Sequence, residues 1–524
     1  MFPTVKRLLT EISTCLIGLV VLYLCVRWRR FKSKSITRVS AADGNLTKPS
    51  AKLPAGPPSW PIFGYLPGLP KVRVWEVYNK WAETYGDMIY VPSFKNHIII
   101  LNSAEAVFEL LERRGSIYSD RPHGMVMMQL MTLDRDPGFV PYDSKWRYIR
   151  KLYNQQMNTT EVVKFRDYQS AAAQSLLGSL LDSPEDFLRH CRTFSAATVM
   201  NIAYGHQIAP RNDQIVQLSE ATGLAFSKAS QPGYYMVDNF PILRYIPSFF
   251  PFASFKTFAA ETKKATYRSR TVPFRQVVEG MKNGDVKTCF VSESLNDLNG
   301  VDLSPRGVKK DFDLEEFENR EDVSLIKDIA GGMFGAGSGT TTAALHSFIL
   351  AMVMFPHVQK RAQEELDHVL GSGRLPTFED QPRLPYIGAI AQEVLRWFPV
   401  APNAVPHTTS EDDVYKGYLI PKGAILIPNV RNLLHDPKIY PNPDEFRPER
   451  FLPDDNGNIA RDPAVQGAFG FGRRICAGRN LAEASIWISA ASLLAVFDIS
   501  PALGENGKPI DVKPAFAGAP GLFE

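Results

Sequence analysis

The chain is poor in cysteine: five in 524 residues, at positions 15, 25, 191, 289 and 476, with no C-x-x-C pair. An odd, scattered set suits a reducing compartment better than a disulfide framework. Excess charge of one sign is lacking too, since 59 basic against 55 acidic residues leave a net charge of +4. That near balance argues against a nucleic-acid binder. No Pro/Gly/Ser-rich linker divides the chain after its first sixty residues, and no period suggests repeats, so a single large catalytic domain is compatible with the length. The glycine-rich stretch at 331–339 has neither the preceding strand nor the G-x-G-x-x-G spacing of a dinucleotide fingerprint.

Near the N-terminus one uncharged apolar run stands out, Ile12 to Val26, followed by Arg27, Trp28, Arg29, Arg30, Lys32 and Lys34. Trp28 and snorkelling arginines extend it towards bilayer thickness. The five basic residues after the run, against Lys6 and Arg7 before it, put everything downstream in the cytosol. A cleaved signal peptide, the rival reading, wants its basic residues first and a small-residue cleavage site after the core. The expected organisation is a lumenal N-terminus at 1–11, a transmembrane signal anchor at 12–28, a basic tether and proline-rich hinge at 29–61, and a catalytic domain at 62–524. The sequon at Asn45 then lies on the cytosolic side and stays unmodified.

Alternation at Met88–Pro92 and His97–Leu101 predicts a small β-region. Met125, Met127, Met128 and Met131 follow, either a soft wall for a ligand or ordinary core. From 160 to 320 the pattern is helical and poorly marked. Its aromatic cluster from Phe240 to Phe255 reads as either buried or membrane-facing, and the charged stretch from Cys289 to Asp322 reads as a solvated loop. From Val323 to Phe355 an apolar helical pattern crosses so many glycines that a local distortion, or close approach of the backbone to a ligand, is expected.

One stretch organises the rest: Phe469-Gly470-Phe471-Gly472-Arg473-Arg474-Ile475-Cys476-Ala477-Gly478, with a helical pattern from Asn480 to about Phe497. A thiolate near a helix N-terminus is stabilised by the dipole and unpaired N–H groups, which lowers its pKa and favours metal ligation. A buried structural cysteine in a glycine-rich turn is the plain alternative. The spacing F-x-x-G-x-R-x-C-x-G resembles the heme-binding loop of the cytochrome P450 superfamily, closest to fungal microsomal heme-thiolate monooxygenases.

That resemblance implies a mainly α fold with a small β-rich lobe, the cytochrome P450 fold behind an N-terminal transmembrane helix. It implies heme b held by Cys476 as the axial metal ligand, with Phe469, Gly472, Arg474 and Gly478 around it. Trp146 and Arg150, one helical turn apart, match the family's W-x-x-x-R that binds a heme propionate. His407 falls near a further propionate contact, a merely structural histidine being the alternative. Ala336, Gly337, Thr340 and Thr341 fit [AG]-G-x-[DE]-T-[TS] of the family's central helix, with Thr340 and Thr341 as catalytic candidates. Gly339, however, stands where the acid belongs. Glu393 and Arg396, with Arg450 downstream, match a buried structural triad, although an exposed E-x-x-R is common. At the C-terminus, family members generally continue through another short strand.

The implied activity is hydroxylation or epoxidation of a hydrophobic small molecule, a terpenoid or polyketide intermediate of fungal secondary metabolism, with O2. Electrons reach it from NADPH only through a partner, since no flavin or nicotinamide domain is encoded. The implied partners are an NADPH-dependent flavoprotein reductase, cytochrome b5 as a second donor, and the lipid bilayer. Arg147, Lys151, Arg473 and Arg479 are candidates for an acidic partner's docking face, or ordinary solvated charge. The chain is expected as a monomer, single-pass in the endoplasmic reticulum membrane, with its catalytic domain on the cytosolic face. Two rivals remain: a reductase-independent heme-thiolate isomerase or dehydratase, kept open by Gly339, and a non-catalytic heme-binding membrane protein.

Overall fold

The alternating apolar residues after position 88 do form strands. In the computed structural model, which describes residues 51–60, 65, 73–93, 96–209, 213–230, 234–250, 253–308, 312–371, 373–452, 465 and 467–512, these are β1 (Met88–Ser93) and β2 (Asn96–Leu101). The remaining strands are β3 (His407–Thr408), β4 (Asp413–Tyr415), β5 (Tyr418–Ile420) and β6 (Ile425–Pro428). One sheet runs β1-β2-β6-β3 and a separate hairpin joins β4 to β5. β2 pairs antiparallel with β1 and parallel with β6, bringing Ile98 beside Ile425 across more than three hundred residues. Helix α1 (Val74–Tyr85) covers this sheet, packing Val74, Trp75 and Tyr78 on Ile89, Val91, Ile98 and Ile427.

Helices make up most of the remainder: α2 (Ser144–Met157), α3 (Arg166–Asp182), α4 (Phe187–Tyr204), α5 (Gln214–Ala229) and α6 (Ser254–Asn283). After them come α7 (Glu321–Met354), α8 (Pro356–Leu370), α9 (Pro385–Trp397) and α10 (Arg479–Val496). α7 has 34 residues and so spans about 50 Å at the usual rise per residue. It is the central element, packed most extensively on α4 and also on α5, α6, α9 and α10. Glu321 and Asp322 in its first turn favour its start. Pro356 at the first turn of α8 fixes the break, where the chain turns by 103°.

Two expectations need correcting. The glycines of α7 do not distort it, because the helix is unbroken from Glu321 to Met354. They make room instead: a Cβ on Gly331 would lie 2.4 Å from Arg270 Cγ, one on Gly332 2.8 Å from Pro137 Cδ, and one on Gly337 3.0 Å from Val199. Close packing outweighs a propensity loss of about 1 kcal/mol per glycine. The stretch from Cys289 to Asp322 is not simply a solvated loop. It contains helices at Phe290–Asn296 and Leu314–Asn319, with Phe290, Val291 and Leu295 buried. Of the two readings of the methionines, core packing holds for Met127, Met128 and Met131 beside Ala225, Ala229 and Ala259, while Met125 and Met128 also line a cleft.

The aromatic segment divides differently. Phe249 is 85% exposed, Tyr245 75% and Ile242 72%, so this part is a surface patch and not core. Among the described residues no single helix is long and apolar enough to cross a membrane. The expected anchor at 12–28, the tether up to residue 50, the sequon at Asn45 and the C-terminal stretch from 516 lie outside the described residues.

Candidate heme-thiolate site

Two left-handed glycines shape the cysteine loop, Gly470 at φ +88° and Gly472 at φ +56°. A Cβ on Gly472 would lie 2.1 Å from the carbonyl oxygen of Leu111, so only glycine fits against that strand of backbone. The Cys476 amide donates to Phe469 O at 2.8 Å and closes the loop. Buried Phe471 meets Phe108 edge-on and keys the loop into the core. α10 begins at Arg479, three residues past the cysteine.

The Cys476 sulfur was expected to have a depressed pKa, and this is corrected. Burial among protein groups pushes the thiol up, while the Gly478 N–H, Arg150 and Arg479 oppose that shift without overcoming it. The side chain is nevertheless solvent-accessible.

Buried positive charge gathers beside the loop. Arg474 donates from Nε to Ser119 O at 2.7 Å and from Nη2 to Val140 O at 2.8 Å, and its guanidinium covers the Trp146 ring at 4.8 Å. Its Nη1 is buried without a hydrogen-bond partner. Burial lowers its pKa to about 10. Arg121 is likewise buried, donating to the carbonyls of Gly138, Val405 and Pro406 at 2.8–2.9 Å. Neither arginine forms an ion pair among the described residues. Arg150 donates to Ile475 O at 2.6 Å, next to the cysteine. His407 faces Tyr118 O at 2.8 Å through Nδ1, which must therefore carry the proton. Burial, then Arg121 and Arg474, hold its pKa well below the usual value and keep the ring neutral.

On α7, residues 335–340 are accessible while 332–334 and 341–345 are buried, so solvent reaches one stretch of the central helix. Thr340 Oγ1 donates to Ala336 O at 2.7 Å; Thr341 is buried. No carboxylate follows Asp328 on this helix, so its sequence offers no substitute for the acid missing at Gly339.

The triad residues come together in the core. Arg396 and Glu393 are fully buried and paired at 2.6 and 2.7 Å. The other Arg396 donors reach Leu434 O, Pro443 O and Glu445 O. Arg450 Nε lies 3.6 Å from Glu393, whose carboxylate also accepts the Arg447 amide at 2.8 Å. A fully hydrogen-bonded buried pair of this kind fixes one arrangement of the chain below the cysteine loop. Arg121 is a buried cation that the sequence reading did not pick out. Its D-R-P setting was visible, but nothing local indicates that the arginine is buried beside Arg474.

A mainly helical domain with a small sheet, an accessible interior cysteine and unpaired buried guanidiniums defines a heme-thiolate class of protein. The family model described as Cytochrome P450 matches residues 54–523. The cytochrome P450 monooxygenase COX2 of Coprinopsis cinerea is 38% identical over 88% of this chain and 85% of its own length. The cytochrome P450 monooxygenase ple1 of Rhodocybe pseudopiperita is 40% identical, with the same coverage. The tryptamine 4-monooxygenase of Psilocybe cyanescens is 36% identical over 89% of this chain and 90% of its length.

The chain belongs to the cytochrome P450 family. It is a monooxygenase, of a family whose members bind heme through a cysteine thiolate and take NADPH-derived electrons through a reductase. The residues present fit that group, since the sulfur is accessible and the orphaned Arg474 Nη1 is a donor awaiting an anion.

Proposed function

We propose that Cys476 supplies the thiolate and that Trp146, Arg150, Arg474 and Arg121 hold the heme carboxylates, whereas His407, neutral with its one proton given to Tyr118 O, has no donor left for them and is a structural histidine. The observation that carries this is buried guanidinium charge lacking an ionic partner beside an accessible sulfur. Leaving such charge unpaired costs several kcal/mol, roughly, and two carboxylates of a ligand supply the partner. Bound there, the group supplies oxygen activation with the electron-donating push of a thiolate. Gly478 leaves space beside the sulfur, its Cβ position lying 3.9 Å from Cys476 Sγ, while Phe469 accepts the Cys476 amide and Gly472 seats the loop on Leu111.

The chain's own contribution on the other side comes from α7. Ala336 presents little side chain, leaving room for a ligand against the helix, while Gly337 admits Val199 of α4. Thr340 holds its proton on Ala336 O and offers its oxygen lone pairs as an acceptor; with glycine at 339, protons reach it by way of water. Thr341, buried, supports that turn of helix. The same Gly339 favours one second reading, a heme-thiolate isomerase or dehydratase that needs no reductase.

The substrate proposed is a hydrophobic terpenoid or polyketide intermediate of fungal secondary metabolism. An anchor at 12–28 together with the exposed Ile242, Tyr245, Phe249 and Phe250 supports a protein held at the cytosolic face of the endoplasmic reticulum. For the reductase, and for cytochrome b5, the supporting feature is an open, shallow face of α2 carrying Arg147 and Lys151, basic and suited to an acidic partner. A monomer is proposed. Expression in a microsomal host with its reductase, with terpenoid and polyketide scaffolds fed and products identified by mass spectrometry, tests this reading. An oxygenated product that requires NADPH is expected, and turnover without NADPH would favour the isomerase.

A further inference from the structure

A second charged cluster sits away from the cysteine loop and joins three segments. Asp328 on α7 lies between Arg270 Nη1 of α6 at 3.1 Å and Arg135 Nε at 3.0 Å. Arg270 Nη2 is also 3.7 Å from Asp136, whose carboxylate accepts the Gly138 amide at 3.0 Å. Arg135 donates in addition to Ser324 Oγ at 2.7 Å. Two cations and two anions make the cluster neutral. Ser324, Asp328, Gly331 and Gly332 fall on one face of α7 by their spacing. The glycines are what let the Arg270 stem and Pro137 lie flat on that face.

The segment 135–140 is fastened on its other edge as well. Arg121 donates to Gly138 O at 2.9 Å and Arg474, two residues before Cys476, donates to Val140 O at 2.8 Å. Between these ties, Phe139 meets Phe226 of α5 edge-on and, with Met125 and Met128, lines a cleft of about 210 Å³. Six residues therefore connect the cysteine loop to α5, α6 and α7.

We propose that 135–140 is a strap that positions the substrate wall formed by Phe139, Met125 and Met128, and that Arg270 is the positioning residue that seats it. The inference rests on the monooxygenase reading only for what the wall faces. A buried ion cluster adds little net stability but excludes other registers of the chain, which is what positioning requires. Unlike the fully buried Glu393–Arg396 pair, this one is partly hydrated, because the Arg135 side chain is 51% exposed and that of Asp136 19%. Water can replace these partners when the strap lifts, so release is cheaper here than at the core pair. Arg270 touches neither the cysteine loop nor residues 335–340, and it acts through Asp136.

Hydrogen exchange followed by mass spectrometry on the full-length heme-loaded protein tests this, together with the association rate of 4-phenylimidazole as an iron-binding probe. Arg270→Met and Asp136→Asn should each speed exchange of amides in 132–143 by about tenfold, the size expected for breaking the Arg270–Asp136 ion pair, a charge contact at 3.7 Å without a hydrogen bond. The probe's association rate should rise similarly, with the reduced carbon-monoxide spectrum unchanged, and Arg270→Lys should recover most of the protection. Wild-type exchange in the strap in Asp136→Asn would overturn the proposal. Faster exchange spread along α6 in Arg270→Met, with the strap unchanged, would also overturn it by assigning the residue to packing. A wild-type protein without the carbon-monoxide signature would instead refute the thiolate assignment, and the exchange result would stand independently.

Discussion

Replacing Gly472 by alanine tests how the cysteine loop is held. The added methyl would meet Leu111 O at 2.1 Å and Leu111 C at 3.1 Å, against a normal contact near 3.2 Å for carbon and oxygen, so the loop must retreat by roughly 1 Å. The residue's φ of +56° adds about 1 kcal/mol for any side chain. Retreat also draws Arg474 away from Ser119 O and Val140 O, and each weakened charged hydrogen bond costs up to about 2 kcal/mol. A total loss of about 3 kcal/mol is expected, concentrated at the loop. Gly470→Ala is the control: its φ is also positive, at +88°, but its Cβ would meet nothing closer than Arg474 O at 3.6 Å, so only the backbone cost of about 1 kcal/mol applies. Heme per protein by pyridine hemochrome, thermal melting and the reduced carbon-monoxide spectrum report the outcome. Gly472→Ala should lose most of its heme and melt well below Gly470→Ala. Equal heme content and melting in the two variants would refute the packing argument.

Glu393→Gln leaves Arg396 buried without its counter-ion and should cost about 3–5 kcal/mol. Its check is the yield of soluble, heme-loaded protein, which should collapse. Thr340→Ala should keep heme and NADPH consumption within about twofold while product per NADPH falls about tenfold or more; unchanged coupling would remove this residue from proton handling. The Asp120–His123 pair gives a pH signature. The hydrogen bond to Asp120 raises the His123 pKa above 6.5. Burial would raise Asp120, but His123 and the Tyr142 and Arg121 amides together hold it at about 2. The histidine's contribution is complete below pH 6.5 and is lost as pH rises through its folded pKa; the carboxylate's is complete above about 3.8 and is lost as pH falls towards 2. With the histidine half exposed, the pair is worth up to about 1 kcal/mol. The melting difference between wild type and His123→Ala should therefore be largest at pH 5–6 and vanish above neutrality.

How much of this was legible in the sequence depended on the distance between partners. The cysteine loop, W-x-x-x-R and E-x-x-R are short motifs whose spacing survives folding, and Trp146, Arg474 and the Glu393–Arg396 pair do meet as those motifs imply. The strands at 88–101 carried their own alternation. Arg121 was not legible, because the carbonyls it binds at 405 and 406 lie 284 and 285 residues away. The glycines of α7 misled for a related reason: propensity counts their local cost, whereas their use is to admit Arg270 and Pro137. The helix at Phe290–Asn296 has only seven residues, too few to show a period among charged neighbours.

The account depends most on a single sulfur atom. Wild-type protein, reduced and exposed to carbon monoxide, should develop the long-wavelength Soret band of a thiolate-ligated heme, and Cys476→Ser should lose that band while Cys191→Ser and Cys289→Ser keep it. A Cys476→Ser protein that retained the band, or a wild type that never developed it, would contradict the assignment of the ligand.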